Sequence, residues 1–166
     1  MTFTFQEIQT KEDITLAYEL YRSNTAYFQL VSGKSPTRQD VMDDRDACPP
    51  GVFPTQKKYG MYLLDGIPVA IVDVLEGFPD PEVYYIGLFL IDGKHHREGL
   101  GRALYEQMEA EARVQGFRRM RLGVVDTNHR ARSFWQAMDF SWVKTVESTL
   151  HEGSRWTVEI MEKNLD

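Results

Sequence analysis

Apolar and polar residues follow two different periods along the first part of the chain. Alternating apolar positions predict a short strand over residues 3–8, and apolar residues at helical spacing predict a helix over residues 11–30. Thr10 and Asp13 have the spacing of a helix-capping pair, in which each side chain bonds to the main chain of the other residue. A second, short helix is predicted over residues 37–46. The chain therefore begins with one strand and two helices.

Predicted strands are most frequent in the middle of the chain. Residues 59–64 and 68–75 flank Asp65-Gly66, a dipeptide typical of a tight hairpin turn. The apolar run 85–91 has the length and density of a central strand, and a long amphipathic helix follows it. Residues 120–125 then alternate in polarity like another strand. Because a helix connects these last two strands, it is a crossover that makes them parallel neighbours.

The last part of the chain also combines a helix with strands. Residues 128–138 carry apolar side chains on one helical face. Residues 141–150 and 155–162 predict a final pair of strands around a turn at Glu152-Gly153. We therefore expect one α/β domain over residues 1–166, with a mixed, mostly antiparallel sheet of about seven strands flanked by about four helices.

The composition of the chain indicates which partners and which cellular compartment to expect. The chain has 166 residues and a formal net charge of −6. This balance disfavours nucleic acid as the main partner and suits a cationic one. No apolar run approaches a membrane span and no signal peptide is evident, so we expect no membrane association. The one cysteine, Cys48, excludes an internal disulfide and fits a reducing cytoplasm.

A glycine turn at the start of the long helix is the strongest chemical signal. Gly99-Leu100-Gly101 follows a polar loop of seven residues and opens the helix. Free N–H groups and the helix dipole form an anion site at such a turn, most often for phosphate. A dinucleotide fold would need a third glycine at Leu104 and a shorter loop, and a phosphate loop of the Walker type would need Gly-Lys-Ser/Thr.

The strand, the polar loop and the Gly-x-Gly turn resemble the acetyl-CoA-binding motif of the GNAT superfamily of N-acetyltransferases. The family pattern Gln/Arg-x-x-Gly-x-Gly/Ala maps to His96-Arg97-Glu98-Gly99-Leu100-Gly101. The first position differs from the pattern, because His96 stands where Gln or Arg is usual. Residues 128–140 resemble a second family segment, which has Asn, Ala, an aromatic pair and Gly-Phe. The two segments occur in the expected order, and the resemblance extends over about residues 59–146.

The resemblance implies that the protein binds acetyl-CoA as a cosubstrate. Main-chain N–H groups from Arg97 to Arg102 are expected at the pyrophosphate, and the strand edge at Phe89 and Ile91 is expected at the pantetheine arm. Asn128 either contacts that arm or caps the following helix. The expected cofactor-binding residues are thus Phe89, Ile91, His96, Arg97, Glu98, Gly99, Leu100, Gly101, Arg102, Asn128 and Trp135.

The catalytic groups are less well defined. Trp135 aligns with the Tyr that the family uses as general acid, and indole has no usable acidic proton, so Trp135 either fills the core or packs on the CoA arm. Asp73 lies inside an apolar strand, where a carboxylate needs a partner or a cleft. It is the candidate base or amine anchor, with a structural hydrogen-bonding role as the alternative. Tyr85 is a second candidate in the acceptor cleft.

Two further groups of side chains carry ligating or charged atoms. Adjacent histidines such as His95 and His96 rarely ligate one ion, and no carboxylate–histidine pattern accompanies them, so no metal is expected. The acidic residues of the short second helix either form a solvated face or line the rim of a site for a cationic amine. That set comprises Asp40, Asp43, Asp44 and Asp46.

The resemblance implies an enzyme that transfers an acetyl group directly to a primary amine of a small molecule, peptide or protein. An acyl-CoA-binding or regulatory module with reduced catalysis is the alternative, because Trp135 replaces the usual Tyr. A nucleotide-dependent oxidoreductase is disfavoured by Leu104. The family also leads us to expect a homodimer.

Overall fold

The computed structural model describes residues 1–96, 98–151 and 154–166. The strands are β1 (Thr4–Glu7), β2 (Lys57–Leu64), β3 (Ile67–Glu76), β4 (Val83–Ile91), β5 (Arg119–Val125), β6 (Ser141–His151) and β7 (Ser154–Asn164). The α-helices are α1 (Lys11–Arg22), α2 (Thr25–Ser32), α3 (Arg38–Asp46), α4 (Leu100–Val114) and α5 (His129–Ala137). Short 3-10 turns occur at Pro54–Gln56 and Gly93–His95.

The strands form one seven-stranded sheet in the order β1-β2-β3-β4-β5-β7-β6. Strands β4 and β5 pair in parallel, and the other neighbouring strands pair antiparallel. The predicted crossover by α4 is therefore confirmed, as is the mixed, mostly antiparallel α/β class. A sheet with one parallel pair is not the all-parallel sheet of a dinucleotide fold.

The parallel pair separates towards the carboxyl end of β4. Pairing runs from Val83 opposite Arg119 to Ile86 opposite Leu122 and ends there. On the other side of β4, the register with β3 shifts between Asp73 and Val74, so that Gly87 is the extra residue of a bulge. The last residues of β4 thus leave β5 and border a gap in the middle of the sheet.

Each face of the sheet packs against its own helices. One buried cluster joins α4 and α5 to the sheet through residues such as Leu104, Met108 and Trp135. The other joins α1, α2 and α3 to the opposite face through residues such as Tyr21 and Val41. Alternate side chains of β2, β3 and β4 enter opposite clusters, as the period of a strand requires.

The predicted helix over residues 11–30 is wrong in one respect, because it is two helices, so the described residues form five α-helices. Ser23 Oγ donates to Leu20 O at 2.6 Å, and Asn24 Nδ2 donates to the same carbonyl at 3.2 Å. These side chains satisfy a carbonyl group at the end of α1, so the chain turns before α2 begins.

Several local predictions are confirmed. Thr10 and Asp13 form the capping box of α1, and the hydrogen bond from the Thr10 N–H lowers the pKa of Asp13 below its usual range. Asp65 and Gly66 both have positive φ, at 52° and 80°, as a two-residue hairpin turn requires. The predicted turn at Glu152-Gly153 lies outside the described residues. Among the helices of the described ranges, none is long and apolar enough to cross a membrane.

Candidate functional site

A cavity of about 780 Å³ lies between the α1–α2 corner, the end of β4, the start of α4 and helix α5. Most residues that were expected to bind the cofactor line it. These are Phe89, Ile91, His96, Gly99, Leu100, Gly101, Arg102, Asn128 and Trp135. The two sequence segments that carry the family resemblance therefore form walls of one cavity.

Helix α4 points its N-terminus at this cavity without a side-chain cap. Gly99 is the N-cap residue, with φ of 77°, and it has no side chain that could accept a hydrogen bond from the first turn. By contrast, α1 and α3 have capping boxes and α5 is capped by Asn128. The first N–H groups of α4 have no partner within the helix, so they and the helix dipole can bind an anion.

The two glycines of the turn have different roles. A Cβ atom on Gly99 would meet nothing within 4 Å, so its glycine is needed for the left-handed backbone rather than for space. A Cβ atom on Gly101 would lie 3.2 Å from the ring of Phe134 and 3.7 Å from Ile91 Cγ1. Gly101 therefore allows α4 to approach α5 and the end of β4 closely.

The end of β4 offers main-chain groups to the gap. Asp92 N–H donates to Val69 O on the β3 side at 2.8 Å. Since successive residues alternate, the main-chain groups of Phe89 and Ile91 face away from β3. The Ile91 carbonyl already accepts bonds from Asn24 Nδ2 at 2.9 Å and His96 Nε2 at 3.0 Å. The Ile91 N–H and both main-chain groups of Phe89 face the gap, where an amide-rich ligand could pair with them.

The polar side chains of the loop make mainly local contacts. His96 binds back to the end of β4, and exposed Glu98 contacts His95 Nδ1 at 3.0 Å. Arg102 is exposed on the first turn of α4, 3.7 Å from Glu106. Arg97 lies outside the described residues. The N–H groups of the α4 N-terminus, with Arg102 beside them, are thus donors that the described chain presents to this part of the cavity.

Trp135 is a packing residue as well as a wall of the cavity. It is 6% exposed. Its ring contacts Phe89 at 5.2 Å, Tyr105 at 5.6 Å and Phe140 at 5.2 Å between ring centroids. This edge-to-face cluster fixes α5 on α4 and β4.

Asn128 caps α5. Its Oδ1 accepts the Ala131 N–H at 3.1 Å, so the Nδ2 amide is the part that could contact a ligand.

A second, smaller cavity of about 90 Å³ lies in the gap between β4 and β5. Gly87 and Gly123 line it from the two strands. Asp73 lies next to it on β3, because a Cβ atom on Gly87 would be 3.6 Å from the Asp73 carboxylate. Atom Oδ1 of Asp73 is buried and has no hydrogen-bond partner among the described residues. Burial raises the pKa of Asp73, and the charge of Lys57 opposes this.

Lys57 holds Asp73 and helix α3 together. Its Nζ donates to Asp73 Oδ2 at 3.1 Å, to Asp44 O at 2.6 Å and to Ala47 O at 2.5 Å. The Lys57 side chain is 7% exposed, so this ammonium group uses its three protons inside the protein. The contact joins β2 and β3 to the C-terminal end of α3.

Of the acidic residues on α3, only Asp44 turns inwards. Its Oδ2 accepts from Tyr21 Oη at 2.7 Å, and Tyr21 Oη is 2.6 Å from Tyr59 Oη. Burial raises the pKa of Asp44, and Asp73 and Asp40 add to the effect. The other three make local contacts: Asp40 in a capping box, Asp43 with Gln39 and Asp46 with Arg45.

Tyr85 lies on the part of β4 that is still paired with β5, opposite Arg121. Its ring packs edge-on against Phe78 with 5.3 Å between ring centroids. Burial raises its pKa, and Arg121 opposes the shift. Tyr85 is not among the described residues that line either cavity.

The α1–α2 corner is a part of the site that sequence reasoning missed. Ser23, Asn24, Tyr27 and Leu30 line the large cavity. Ser23 Oγ also accepts the Gly93 N–H at 2.9 Å, which fastens the corner to the loop before α4. The signal that could have located the corner is Ser23-Asn24, two residues that favour helix ends, inside the predicted helix.

Three solved structures with this fold are acetyltransferases. An acetyltransferase from Thermus thermophilus superposes with a TM-score of 0.77 and 26% identity, covering 99% of this chain and 97% of that chain. The ribosomal-protein-S18-alanine N-acetyltransferase of Escherichia coli has a TM-score of 0.69 and 15% identity, covering 99% and 95%. A PaiA N-acetyltransferase from Thermoplasma acidophilum, solved with coenzyme A, has a TM-score of 0.66 and 13% identity, covering 99% and 99%. The fold is that of an acetyltransferase.

The sequence agrees with this class. The model of the acetyltransferase (GNAT) family matches residues 17–140, which is most of the chain. The protein therefore belongs to the GNAT acetyltransferase family. No curated protein matches the sequence.

Proposed function

We propose that this protein is an N-acetyltransferase that transfers an acetyl group from acetyl-CoA to a primary amine by direct attack, as one domain over residues 1–166. The observation that carries the proposal is the large cavity, which joins an uncapped helix N-terminus to an unpaired strand edge. The helix N-terminus suits a pyrophosphate, and the unpaired strand edge suits an amide-rich arm. The two features lie in the order in which acetyl-CoA presents these groups.

In this proposal the thioester lies where the large cavity meets the gap between β4 and β5. An amine that enters through the gap then reaches the thioester carbonyl beside Gly87. Asp73 is the proposed base, because its carboxylate adjoins Gly87 and its raised pKa brings it closer to neutral pH. Its bond to Lys57 supports the alternative structural role, and kinetics of an Asp73 variant separate the two.

We expect the acceptor to be cationic before it is deprotonated. The net charge of −6 and the inward-facing Asp44 and Asp73 favour such a molecule near the gap. Whether the amine belongs to a small molecule, a peptide or a protein is a question for a panel of acceptors.

A homodimer and a cytoplasmic location are part of the same proposal. Trp142 and Val143 are exposed on edge strand β6, where a second copy could cover them. Cys48 is an exposed free cysteine, which suits a reducing compartment. Light scattering of the purified protein tests the dimer, and fractionation of cells tests the location.

The first experiment is calorimetric titration of the protein with acetyl-CoA, with NAD as the control ligand. We expect micromolar binding of acetyl-CoA alone. Release of free CoA is then followed across a panel of diamines, amino acids, aminoglycosides and peptides. Binding of NAD in preference to acetyl-CoA would refute the assignment of the cavity.

A second candidate function is a CoA-binding module without turnover, which the indole at position 135 favours. Tight binding with no CoA release from any amine would support this module. Turnover with one amine would exclude it. Asp73→Asn then tests the base: we expect kcat to fall about 10²-fold or more while the dissociation constant for acetyl-CoA stays the same.

A further inference from the structure

Acetyl transfer requires a group that stabilises the thiol sulfur as it leaves. A hydrogen-bond donor beside the sulfur stabilises the negative charge that develops as the thiolate leaves. Trp135 stands where the family has a Tyr, and its ring is fixed among Phe89, Tyr105 and Phe140. Its N–H can donate a hydrogen bond but cannot give up a proton. A proton for the departing sulfur therefore has to come from solvent, from the product ammonium or from another side chain.

The two cavities meet along a short shared wall. Five residues line both of them: Tyr27, Phe89, Asn128, Ala131 and Trp135. Under the proposed function, the thioester lies at this junction, because the CoA arm fills the large cavity and the amine enters from the small one. Tyr27 is the member of this set that carries a hydroxyl group.

The other tyrosines on this face have different surroundings. Tyr21 and Tyr59 share a hydrogen bond with each other, and Tyr21 donates to Asp44. Tyr85 packs against Phe78 on the paired part of β4. Tyr27 is held by its neighbour Phe28, with an edge-to-face contact of 5.1 Å between ring centroids. Its ring contacts Phe28, and the residue lines both cavities.

Tyr27 stays protonated across the physiological range. Burial, followed by the charge of Asp44, raises its pKa to about 12. A thiol has an ordinary pKa near about 8.5, so a lasting transfer of the proton to sulfur would be unfavourable unless the phenolate is reprotonated at once. A donor of this kind acts through a strong hydrogen bond to the departing sulfur and passes on a proton in the same step.

We propose that the Tyr27 hydroxyl donates a hydrogen bond and then its proton to the CoA sulfur, a proton transfer for which the indole of Trp135 is unsuited. The inference rests on the proposed acetyl transfer. The amine nitrogen bonds to the acetyl carbon, the carbon–sulfur bond breaks, and sulfur keeps the electron pair and takes the Tyr27 proton. Asp73, the proposed base, takes the proton that nitrogen loses, and water carries a proton from Asp73 back to Tyr27, so the net products are the amide and the free thiol.

The first test needs no acceptor amine. CoA is bound to the protein, and the pKa of the CoA thiol is measured from the ultraviolet absorbance of the thiolate. We expect a lower thiol pKa in the wild-type complex than in Tyr27→Phe, by about one unit, because one hydrogen bond to the anion is lost. Tyr18→Phe is the matched control, since the Tyr18 ring lies outside the cavities against Arg22 and Arg38. Equal thiol pKa values in all three complexes would overturn the proposal.

The second test uses turnover. With acetyl-CoA and the best amine of the panel, we expect Tyr27→Phe to lower kcat about 10²-fold and to leave acetyl-CoA affinity within about twofold. With S-(4-nitrophenyl) thioacetate, whose more acidic thiol leaves without a proton donor, Tyr27→Phe should lower kcat very little. A penalty equal for both thioesters would indicate a structural role and overturn the inference. If the thiol pKa differs between the wild type and Tyr27→Phe but no amine is acetylated, the proposed function is refuted. The contact between Tyr27 and the sulfur is then still supported.

Discussion

Two glycines at opposite ends of α4 offer a matched test of the anion site. Gly99 has φ of 77° and Gly116 has φ of 91°, and a Cβ atom on either would meet nothing within 4 Å. Gly99→Asp and Gly116→Asp therefore introduce the same side chain with the same kind of backbone strain, which costs about 1–2 kcal/mol for an L-residue. Only the first places its carboxylate at the cavity.

The carboxylate introduced by Gly99→Asp has opposite effects on stability and on binding: the helix dipole favours it, whereas a bound phosphate repels it. A carboxylate is favourable at the N-terminus of α4 and unfavourable at its C-terminus, by about 0.3–1 kcal/mol in each case. Gly99→Asp should thus have the higher free energy of unfolding of the two variants, by about 1 kcal/mol. For the ligand, a carboxylate about 5 Å from a phosphate charge, at an effective dielectric constant of about 20, costs about 3 kcal/mol. Acetyl-CoA affinity should fall on the order of 100-fold.

The assay is calorimetric titration of both variants with acetyl-CoA, alongside denaturant unfolding. We expect Gly116→Asp to bind like the wild type. Gly99→Asp should bind at least about 30-fold more weakly, a lower bound that allows for screening of part of the repulsion by salt. Equal affinities for the two variants would refute the location of the pyrophosphate at α4. Weak binding by Gly116→Asp would show that strain at the ends of α4, rather than charge, controls affinity.

Three further changes test the local structure by denaturant unfolding. Asp139 has φ of 70°, so Asp139→Ala should cost about 1 kcal/mol, whereas Asp139→Asn should be nearly neutral; equal losses would contradict the backbone argument. Tyr21→Phe should cost about 2 kcal/mol, because Asp44 and Tyr59 lose their shared partner; a neutral result would count against this hydrogen-bond network. Burial raises the pKa of Asp44 in the fold, so its contribution to stability declines as pH rises from the lower pKa of the unfolded chain to the raised one. The free energy of unfolding of Asp44→Asn should therefore rise relative to that of the wild type as the pH increases above the unfolded-state pKa of Asp, about 3.9, and a constant difference would refute this.

The part of the fold that could be predicted from sequence is encoded locally. The hairpin at Asp65-Gly66 needs positive φ at both residues, and the dipeptide supplies it. The capping box at Thr10 and Asp13 is complete within one turn of helix. The glycine turn at the start of α4 could be predicted in the same way, because its backbone conformation depends on Gly99 itself.

The break between α1 and α2 depends on tertiary contacts. Apolar spacing continues through residues 11–30, so periodicity alone predicts one helix. The side chain of Asn24 instead reaches Ile91 O, and Ser23 receives the N–H of Gly93. A Cβ atom on Gly93 would come within hard contact of the Ser23 carbonyl, so this glycine permits the approach. None of these partners is near in sequence, which is why the corner could not be predicted.

The two halves of the site differ in the same way. The expected cofactor residues lie in two continuous segments, so a sequence motif can reveal them. The proposed acceptor side is built by single contacts between distant elements, such as Lys57 with Asp73 and Tyr21 with Asp44. No spacing rule connects such pairs, so sequence could indicate Asp73 only by its carboxylate in an apolar strand.

The α1–α2 corner connects these halves physically. Through Ser23 and Asn24 it is fastened to the loop and strand end that border the cofactor cavity. Through Tyr27 it reaches the junction with the gap between β4 and β5. A corner with both attachments gives the acceptor wall a fixed position relative to the strand edge expected to hold the CoA arm. In this protein, the residue proposed to assist the leaving sulfur can therefore lie on α2 while position 135 of α5 serves the aromatic core.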